Sequence, residues 1–373
     1  MLLSSIEAIN FRNLSGKIAW GPRLNIIYGN NGQGKTNWLE AINVLARTKS
    51  FRTQRLQEAI RFGEKLAIIR GTVTAGESLE RNLQVTLQEN TKTIFVNQKK
   101  ESLTRYLSQL PVFSFTAPDL EIVRGMPEAR RRFLDRGISS IKPSYLQTIA
   151  DYAKVIKQKN RILHSANEDK FPLPKVQQLL APWNDQLVAL AWRIHRERSD
   201  YATSLSLALE RQLFDKRHLT IRYLSLLEGK GDLNAYEDVL AERLRVRQDA
   251  EVAAGHSLIG PHRDDLEVLF DGRDIRAFGS SGQQRSTLLL LDLAAISLYN
   301  LAAREAPIFI IDDVDAELDE NRIRHLLEYL EDRTQTFITT SKRSHVDGFL
   351  SRANVFEIGD GQVRSDSSKV EVA

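Results

Sequence analysis

The chain has 373 residues, 42% of them hydrophobic and 27% charged, which is enough for a substantial core and for two or more lobes. It has no cysteine, which excludes a disulfide framework, a thiolate metal site and a thiol nucleophile. A net charge of +4 leans mildly towards anionic partners and decides nothing alone.

The N-terminus, "MLLSSIEAINFRNL", lacks the basic start and unbroken apolar run of a signal peptide, so a cytoplasmic protein that uses no membrane is expected. The first third then alternates short β-branched runs with turns: "LNIIYG", "KLAIIRGTVT", "RNLQVTLQ" and "TIFVNQ" predict strands. Within it, "LNIIYGNNGQGKTNWLEAINVLA" carries the pattern G-x-x-x-x-G-K-[ST] between a buried-strand run and a helical one. Its phosphate-binding candidates are Gly29, Asn30, Asn31, Gly32, Gln33, Gly34, Lys35 and Thr36. Glycines let backbone N–H groups wrap phosphates, and the helix start adds positive partial charge. Lys35 is expected on the β- and γ-phosphates of ATP and Thr36 on Mg²⁺. A glycine-rich structural turn is the bland alternative. Arg12 and Asn13, between the first strands, are candidates to lie beside the nucleotide, or form a β-turn.

From about residue 118 to 250 the periodicity is helical, with a loop at "DKFPLPK" (169–175). Cations gather here in "RGMPEARRRFLDR", "KVIKQKNRILH" and "WRIHRERSDY". Arg130, Arg131 and Arg132 are read as a solvated helix face, a DNA phosphate contact or a dimer contact, and the apolar residues of the adjacent "FLDR" allow some of them to pack or pair with carboxylates. His262, Arg263, Asp264 and Asp265 lack metal-ligand spacing and predict a structural or nucleotide-sensing loop.

"DLEVLFDGRDI" then reads as strand, turn and strand, and "FGSSGQQRS" (278–286) precedes an apolar helix. That helix, Leu288 to Ala303, is interrupted by Asp292, Ser297 and Asn300, so it falls short of the roughly 20 apolar residues of a membrane span and is expected in the core. Ser280, Gly282 and Gln283 offer anion-binding groups at a helix start, or simply an N-cap. "APIFIIDD" predicts a buried parallel strand ending in Asp312 and Asp313, where α/β folds bind ligands. Asp312 is expected to complete the Mg²⁺ site with Thr36, and Asp313 to orient or deprotonate the attacking water. "TFITTS" supplies Thr339, Thr340 and Ser341 at the end of another strand, and "RSDSSKVEVA" predicts a disordered tail.

The ensemble of motifs resembles the RecF family, in the ABC-type and SMC-like ATPase group. The residues that carry it are "IEAINFRNL", "GNNGQGKTN", "RGMPEARRRFLD", "LIGPHRDDLEV", "FGSSGQQRS" and "IIDDVDAELDENR". The resemblance implies an α/β fold, an ABC-type ATPase head with a mixed sheet and a helical insertion lobe. The expected division is 1–117 and 251–363 for the ATPase domain, 118–250 for the insertion and 364–373 for the tail. It implies that Ser280, Gly282 and Gln283 act as the signature motif on the γ-phosphate held by a second copy. It further implies a weak DNA-dependent ATPase, an ATP-induced homodimer on duplex DNA near gap junctions, help to RecA, the partners RecR and RecO, and a link to the SOS response. Three departures stand out. "TAPDL" (Thr116 to Leu120) replaces the family's usual S/T-P-E-D-L, Asp313 stands where the wider group has Glu, and His345 is too far along to equate with a switch histidine. Two rivals stay open: a P-loop phosphotransferase acting on a small molecule, and a DNA-binding dimer that uses ATP as glue without turnover.

Overall fold

The computed structural model describes residues 1–75, 79–209, 219–317, 320–342, 348–349 and 351–366. By internal contacts the chain forms two units, Met1–Leu120 with Leu288–Ala373, and Glu121–Thr287. Residues 251–287, expected with the ATPase domain, therefore fall in the second unit. The helix Ser281–Ala303 gives its first residues to that unit and the stretch from Leu288 onward to the first.

The first unit contains two six-stranded sheets. Leu24–Tyr28, Ile308–Ile311 and Gln335–Thr340 are nearly continuous runs of buried residues. Strands buried on both faces read this way in parallel sheets. They order as Gln362–Asp366, Ala353–Gly359, Leu24–Tyr28, Gln335–Thr340, Ile308–Ile311 and Val112–Phe115, parallel except for the terminal hairpin. Residues 364–366, expected in a tail, close that hairpin; 367–373 lie outside the described residues. The other sheet is antiparallel, in the order Leu14–Ala19, Leu2–Phe11, Leu66–Ala75, Leu79–Gln88, Lys92–Val96, Lys99–Lys100.

One core cluster joins these sheets to the helix Lys35–Arg47, burying Leu3, Ile6, Ile42, Leu45, Val85 and Phe337. Gly71 admits Leu45, because a Cβ there would stand 2.3 Å from Leu45 Cδ2. Gln335 is buried in the parallel sheet, and its amide exchanges both hydrogen bonds with the Leu3 backbone at 2.8 and 2.9 Å. A side-chain amide thus copies a peptide group and pins the first antiparallel strand to the parallel sheet. Leu288, Leu289, Leu291, Leu293 and Ile296 are buried, so the apolar helix packs inside the protein as its interrupted sequence predicts.

The second unit is mainly helical, with Pro127–Ile141, Tyr145–Glu168, Leu173–Leu209, Tyr236–Val246 and Gln248–Ala254. It also contains a three-stranded sheet of Leu219–Leu224, Asp265–Phe270 and Arg273–Asp274. Leu219–Leu224 corrects the expectation of an all-helical middle: "LTIRYL" alternates buried and exposed residues at its start, a strand period inside a helical stretch. Its core is polar as well as apolar. Asp135 takes two bonds from Arg198, at 2.8 and 2.9 Å, and Lys159 meets Glu251 at 2.7 Å with both side chains buried. Gly137 lets the first of these helices approach the long one, since a Cβ would lie 2.0 Å from the Tyr201 hydroxyl.

His195 stacks on Tyr236 at 4.2 Å with an interplanar angle of 17°, and its Nδ1 makes no hydrogen bond among the described residues. Burial lowers its pKa to about 4. The folded state thus binds fewer protons than the unfolded one, so this stability is full above pH 6.5 and is lost as pH falls towards 4. The loss is on the order of 3 kcal/mol over that window. His195→Phe keeps the stack and removes the titration. Calorimetric melting as a function of pH is expected to show it equal to or above wild type at neutral pH, with a flatter decline in acid.

Candidate nucleotide site

Parallel pairing brings the carboxyl ends of four strands to one level. Ile311 pairs with both Phe115 and Ile338, and Tyr28 pairs with Thr340. The residue that follows each strand end therefore faces the same edge of the sheet. From Tyr28 the chain enters the phosphate-loop sequence, where Gly29, Gly32 and Gly34 take φ values of 148°, 80° and 103°. Side-chain-bearing residues rarely adopt these conformations. At Gly29 a Cβ would also lie 2.5 Å from the carbonyl of Ile358, and at Gly34 it would lie 2.9 Å from the Asn13 amide oxygen. Gln33 is clasped from outside, its side-chain oxygen accepting from Asp360 N and its carbonyl from Gly361 N, each at 2.8 Å. The loop is thus held rigidly from several sides, and Asn30 and Asn31 complete its exposed rim.

Lys35 opens the helix and is buried; its Nζ donates to the carbonyls of Gly29 and Asn30 at 2.6 and 3.0 Å, inside the loop's own curve. Burial lowers its pKa, opposed by the carboxylates of Asp313, Asp315 and Asp312. Next to it, Thr36 Oγ1 donates to Asp312 Oδ1 at 2.9 Å, a contact between residues 276 positions apart. Thr339 donates to the same oxygen at 2.7 Å and accepts the Asp313 N–H at 2.7 Å. Burial raises the Asp312 pKa, with Asp313 adding to the effect and the two threonine hydroxyls opposing it. Asp313 is exposed and has a φ of 53°. Left-handed backbone is uncommon away from glycine, and aspartate tolerates it better than most.

These groups suit a triphosphate with Mg²⁺. A hydroxyl and a carboxylate oxygen side by side are hard oxygen donors, and Mg²⁺ needs only one or two from protein when phosphates and water supply the rest. Among the described residues no cluster of three or more His, Asp, Glu or Cys offers a competing all-protein metal cage.

Three further residues were not singled out by sequence. Asp315 accepts from the hydroxyl of Thr340 and from Ser341 N, Ser341 Oγ and Lys342 N at 2.7, 2.9 and 3.2 Å. It fixes the turn that follows the strand Gln335–Thr340; His345 lies outside the described residues. Glu40 is fully buried and takes both Arg12 Nε and Nη2, at 3.0 and 2.8 Å. Its only sequence signal is a carboxylate inside an apolar helical pattern. Arg12 is thus held by Glu40 and its side chain stays partly exposed, and Asn13 sits against Gly34 and accepts from Asn37 at 2.7 Å. Asp119, in the departed "TAPDL" stretch, accepts from Ser114 and Thr116 at 3.0 and 2.7 Å.

In the second unit, Ser280 and Gln283 form a reciprocal capping box: Ser280 N donates to Gln283 Oε1 at 2.8 Å and Gln283 N to Ser280 Oγ at 3.3 Å. Ser280 and Gly282 are exposed. The arginine cluster divides between its readings, packing and pairing with a carboxylate for Arg130 and a solvated face for Arg132. Arg130 is buried on Asp265 at 2.7 and 3.0 Å, and Arg131 bonds the Asp264 carbonyl at 2.7 Å. Arg132 alone is an exposed helical pair, with Glu128. His262 accepts from or donates to Tyr152 at 2.7 Å, and Asp264 takes the Tyr223 hydroxyl at 2.5 Å and Leu226 N at 2.8 Å. "GPHRDD" is thus an internal brace.

A phosphate loop on a central parallel strand and an acidic strand end bonded to it define an ABC-type ATPase head. The profile of the RecF/RecN/SMC N terminal domain family matches residues 2–362. The chain belongs to the RecF family. It is 33% identical to the DNA replication and repair protein RecF of Ligilactobacillus salivarius (strain UCC118), over 99% of this chain and 98% of that one. It is 34% identical to the same-named protein of Streptococcus agalactiae serotype Ia, over 99% of each. Among solved structures it is similar to the recombination mediator protein RecF with ATP, of the RecFOR pathway, with a TM-score of 0.88 and 31% identity over 98% and 97% of the two chains. An Smc head bound to the C-terminal winged-helix domain of ScpA shares the fold at a TM-score of 0.53 and 14% identity, over 97% and 96%.

Because burial raises the Asp312 pKa, the folded protein holds a proton there more tightly than the unfolded chain. The associated stability is present in acid and is lost as pH rises through the folded value. Asp312→Asn, without nucleotide, is therefore expected to melt above wild type at about pH 7, the gap closing as pH falls, while losing any stabilisation by MgATP.

Proposed function

We propose that this protein is an ATP-dependent DNA-binding protein of replication and recombinational repair, whose two ATP sites form between two copies of the chain. The observation that carries the reading is the Thr36–Asp312 bond of 2.9 Å beside Lys35, which puts cation, hydroxyl and carboxylate at one phosphate loop. Backbone N–H groups of Gly29 to Thr36 would bind the phosphates, Lys35 would neutralise them, and Thr36 and Asp312 would hold Mg²⁺. Bound MgATP would supply the negative charge on which both subunits close. Asp313 would orient the attacking water, and a carboxylate one methylene shorter than glutamate suits slow hydrolysis.

Ser280, Gly282 and Gln283 of the other copy would close on the γ-phosphate, with the exposure of Ser280 and Gly282 in support. Such a contact made twice gives a closed two-fold dimer. Cleavage of the γ-phosphate would remove the contact and release DNA. Duplex DNA, held mainly through its phosphates, would be bound with little sequence preference. The relatives' names and the RecFOR pathway support a place in repair beside RecO and RecR, and action at gaps, in RecA loading and in the SOS response is what the family resemblance implies.

Sedimentation with ATP, with ADP and without nucleotide tests this reading. ATP alone should dimerise the wild type, and Ser280→Arg should abolish that while keeping ATP binding. Loss of the cap costs only about 1 kcal/mol, so the variant should melt within a few degrees of wild type. A wild type that stays monomeric with ATP would sink the shared site and favour a phosphotransferase. Dimerisation with no measurable hydrolysis would favour ATP as glue. With duplex DNA added, log affinity should fall linearly with log salt concentration, by about 0.9 per phosphate contacted.

A further inference from the structure

Within the second unit, the start of the strand Asp265–Phe270 is clamped from several sides. Arg130, buried on the helix Pro127–Ile141, holds both carboxylate oxygens of Asp265, at 2.7 and 3.0 Å. The neighbouring Arg131 donates to the Asp264 carbonyl at 2.7 Å, and the Asp264 carboxylate takes Leu226 N at 2.8 Å. Arg130 makes one bond more. Its Nη1 donates to Gly125 O at 2.9 Å, the carbonyl that follows the short helix Glu121–Arg124. A bidentate arginine–carboxylate pair fixes orientation as well as distance.

Both elements that Arg130 holds lead to the same place. Glu121–Arg124 packs against the helix Ile275–Phe278, and so does Asp265–Phe270. That strand also continues into the helix through a tight turn at Asp271 and Gly272, with φ 49° and 75°, and the strand Arg273–Asp274. A helix of four residues cannot sustain itself in water. Ile275–Phe278 is kept by the Asp274 cap on Arg276 N at 2.8 Å, by the burial of Ile275 and by those two neighbours. Gly279 N and Gln284 Nε2 both donate to Ile275 O, at 3.0 and 3.3 Å, and so tie the residues around Ser280, Gly282 and Gln283 to this helix from either side.

We propose that Arg130 is a positioning residue for the signature-type start of the helix Ser281–Ala303. Through Asp265 and Gly125 it sets where Ser280, Gly282 and Gln283 stand, and with that how well they grip MgATP held by a second copy. The inference rests on the two-copy reading above. Arg130 itself touches no nucleotide.

Deleting either partner would leave a buried charge and endanger the fold, so the test uses Arg130→Lys and Asp265→Asn. Lysine keeps the charge as a point and cannot copy the fork. Leu163→Ala, in the separate small cluster of Leu163, Ala166, Val176 and Leu180, is the control for lost stability. Hydrogen exchange without nucleotide is expected to quicken over residues 275–287 in both brace variants, and to stay unchanged over Tyr236–Val246. Calorimetry should show the MgATP affinity of the monomer unchanged. Sedimentation should show ATP-driven dimerisation weakened on the order of tenfold, the worth of one charge-assisted hydrogen bond. Leu163→Ala should dimerise as the wild type does. Brace variants that dimerise normally, or a control that loses as much as they do, would overturn the proposal. A wild type that stays monomeric with ATP would instead overturn the two-copy reading, and unchanged exchange over 275–287 would still overturn the positioning role by itself.

Discussion

The shared hydrogen-bond acceptor Asp312 Oδ1 is the point at which separate parts of the chain depend on one another. Thr36 reaches it from the phosphate-loop helix and Thr339 from a neighbouring strand, and the backbone N–H of Asp313 is anchored on Thr339 in turn. None of these contacts is local in sequence. They exist because parallel pairing sets Ile311, Phe115 and Ile338 level, so that strand ends rather than strand faces meet. A one-residue slip in that register would turn Asp312 to the other face and separate it from Thr36. The buried side chains of Ile308 to Ile311 hold the register, so the hydrophobic core and the polar site are specified by the same four residues.

Burial gives this small cluster its electrostatic character. The Asp312 carboxyl is pushed up and the Lys35 ammonium pushed down, each towards its neutral form, before any ligand is considered. Both effects come mainly from desolvation, opposed at Lys35 by the carboxylates of Asp313, Asp315 and Asp312 and at Asp312 by the two threonine hydroxyls and Arg52. A metal and phosphates entering such a site reverse the balance, because each then gives a buried charge its counterpart. The nearby Arg12–Glu40 pair solves the same problem internally, since two near-parallel bonds satisfy a fully buried carboxylate.

Where local chemistry dictated the structure, the sequence was readable. Gly29, Gly32 and Gly34 needed positive φ, Lys35 and Thr36 followed by spacing, and Asp312 ended an unmistakably buried strand. What was hidden depended on partners distant in sequence. Glu40 reads as one charge on a helix until Arg12 is seen on it, and Asp315 as one of several acids until Thr340 and Ser341 arrive. Arg130 and Arg131 look like a solvated face by composition, yet their partners Asp265 and Asp264 lie more than a hundred positions away. The strand Leu219–Leu224 was missed because its few residues are flanked by strong helical periodicity, and pairing with Asp265–Phe270 decided its state.

The capping box at the start of the helix Ser281–Ala303 has a bearing on how tightly anything can be held there. Ser280 Oγ already accepts from Gln283 N, at a long 3.3 Å, and Gln283 already returns a bond to Ser280 N. An anion arriving at this helix start would compete, at Ser280 N and Gln283 N, with bonds the protein makes to itself. For those two groups the gain is the difference between two hydrogen bonds rather than the whole of one, and the internal bonds re-form when the anion leaves. An anion held there would be released readily, as the proposed ATP-bridged dimer requires.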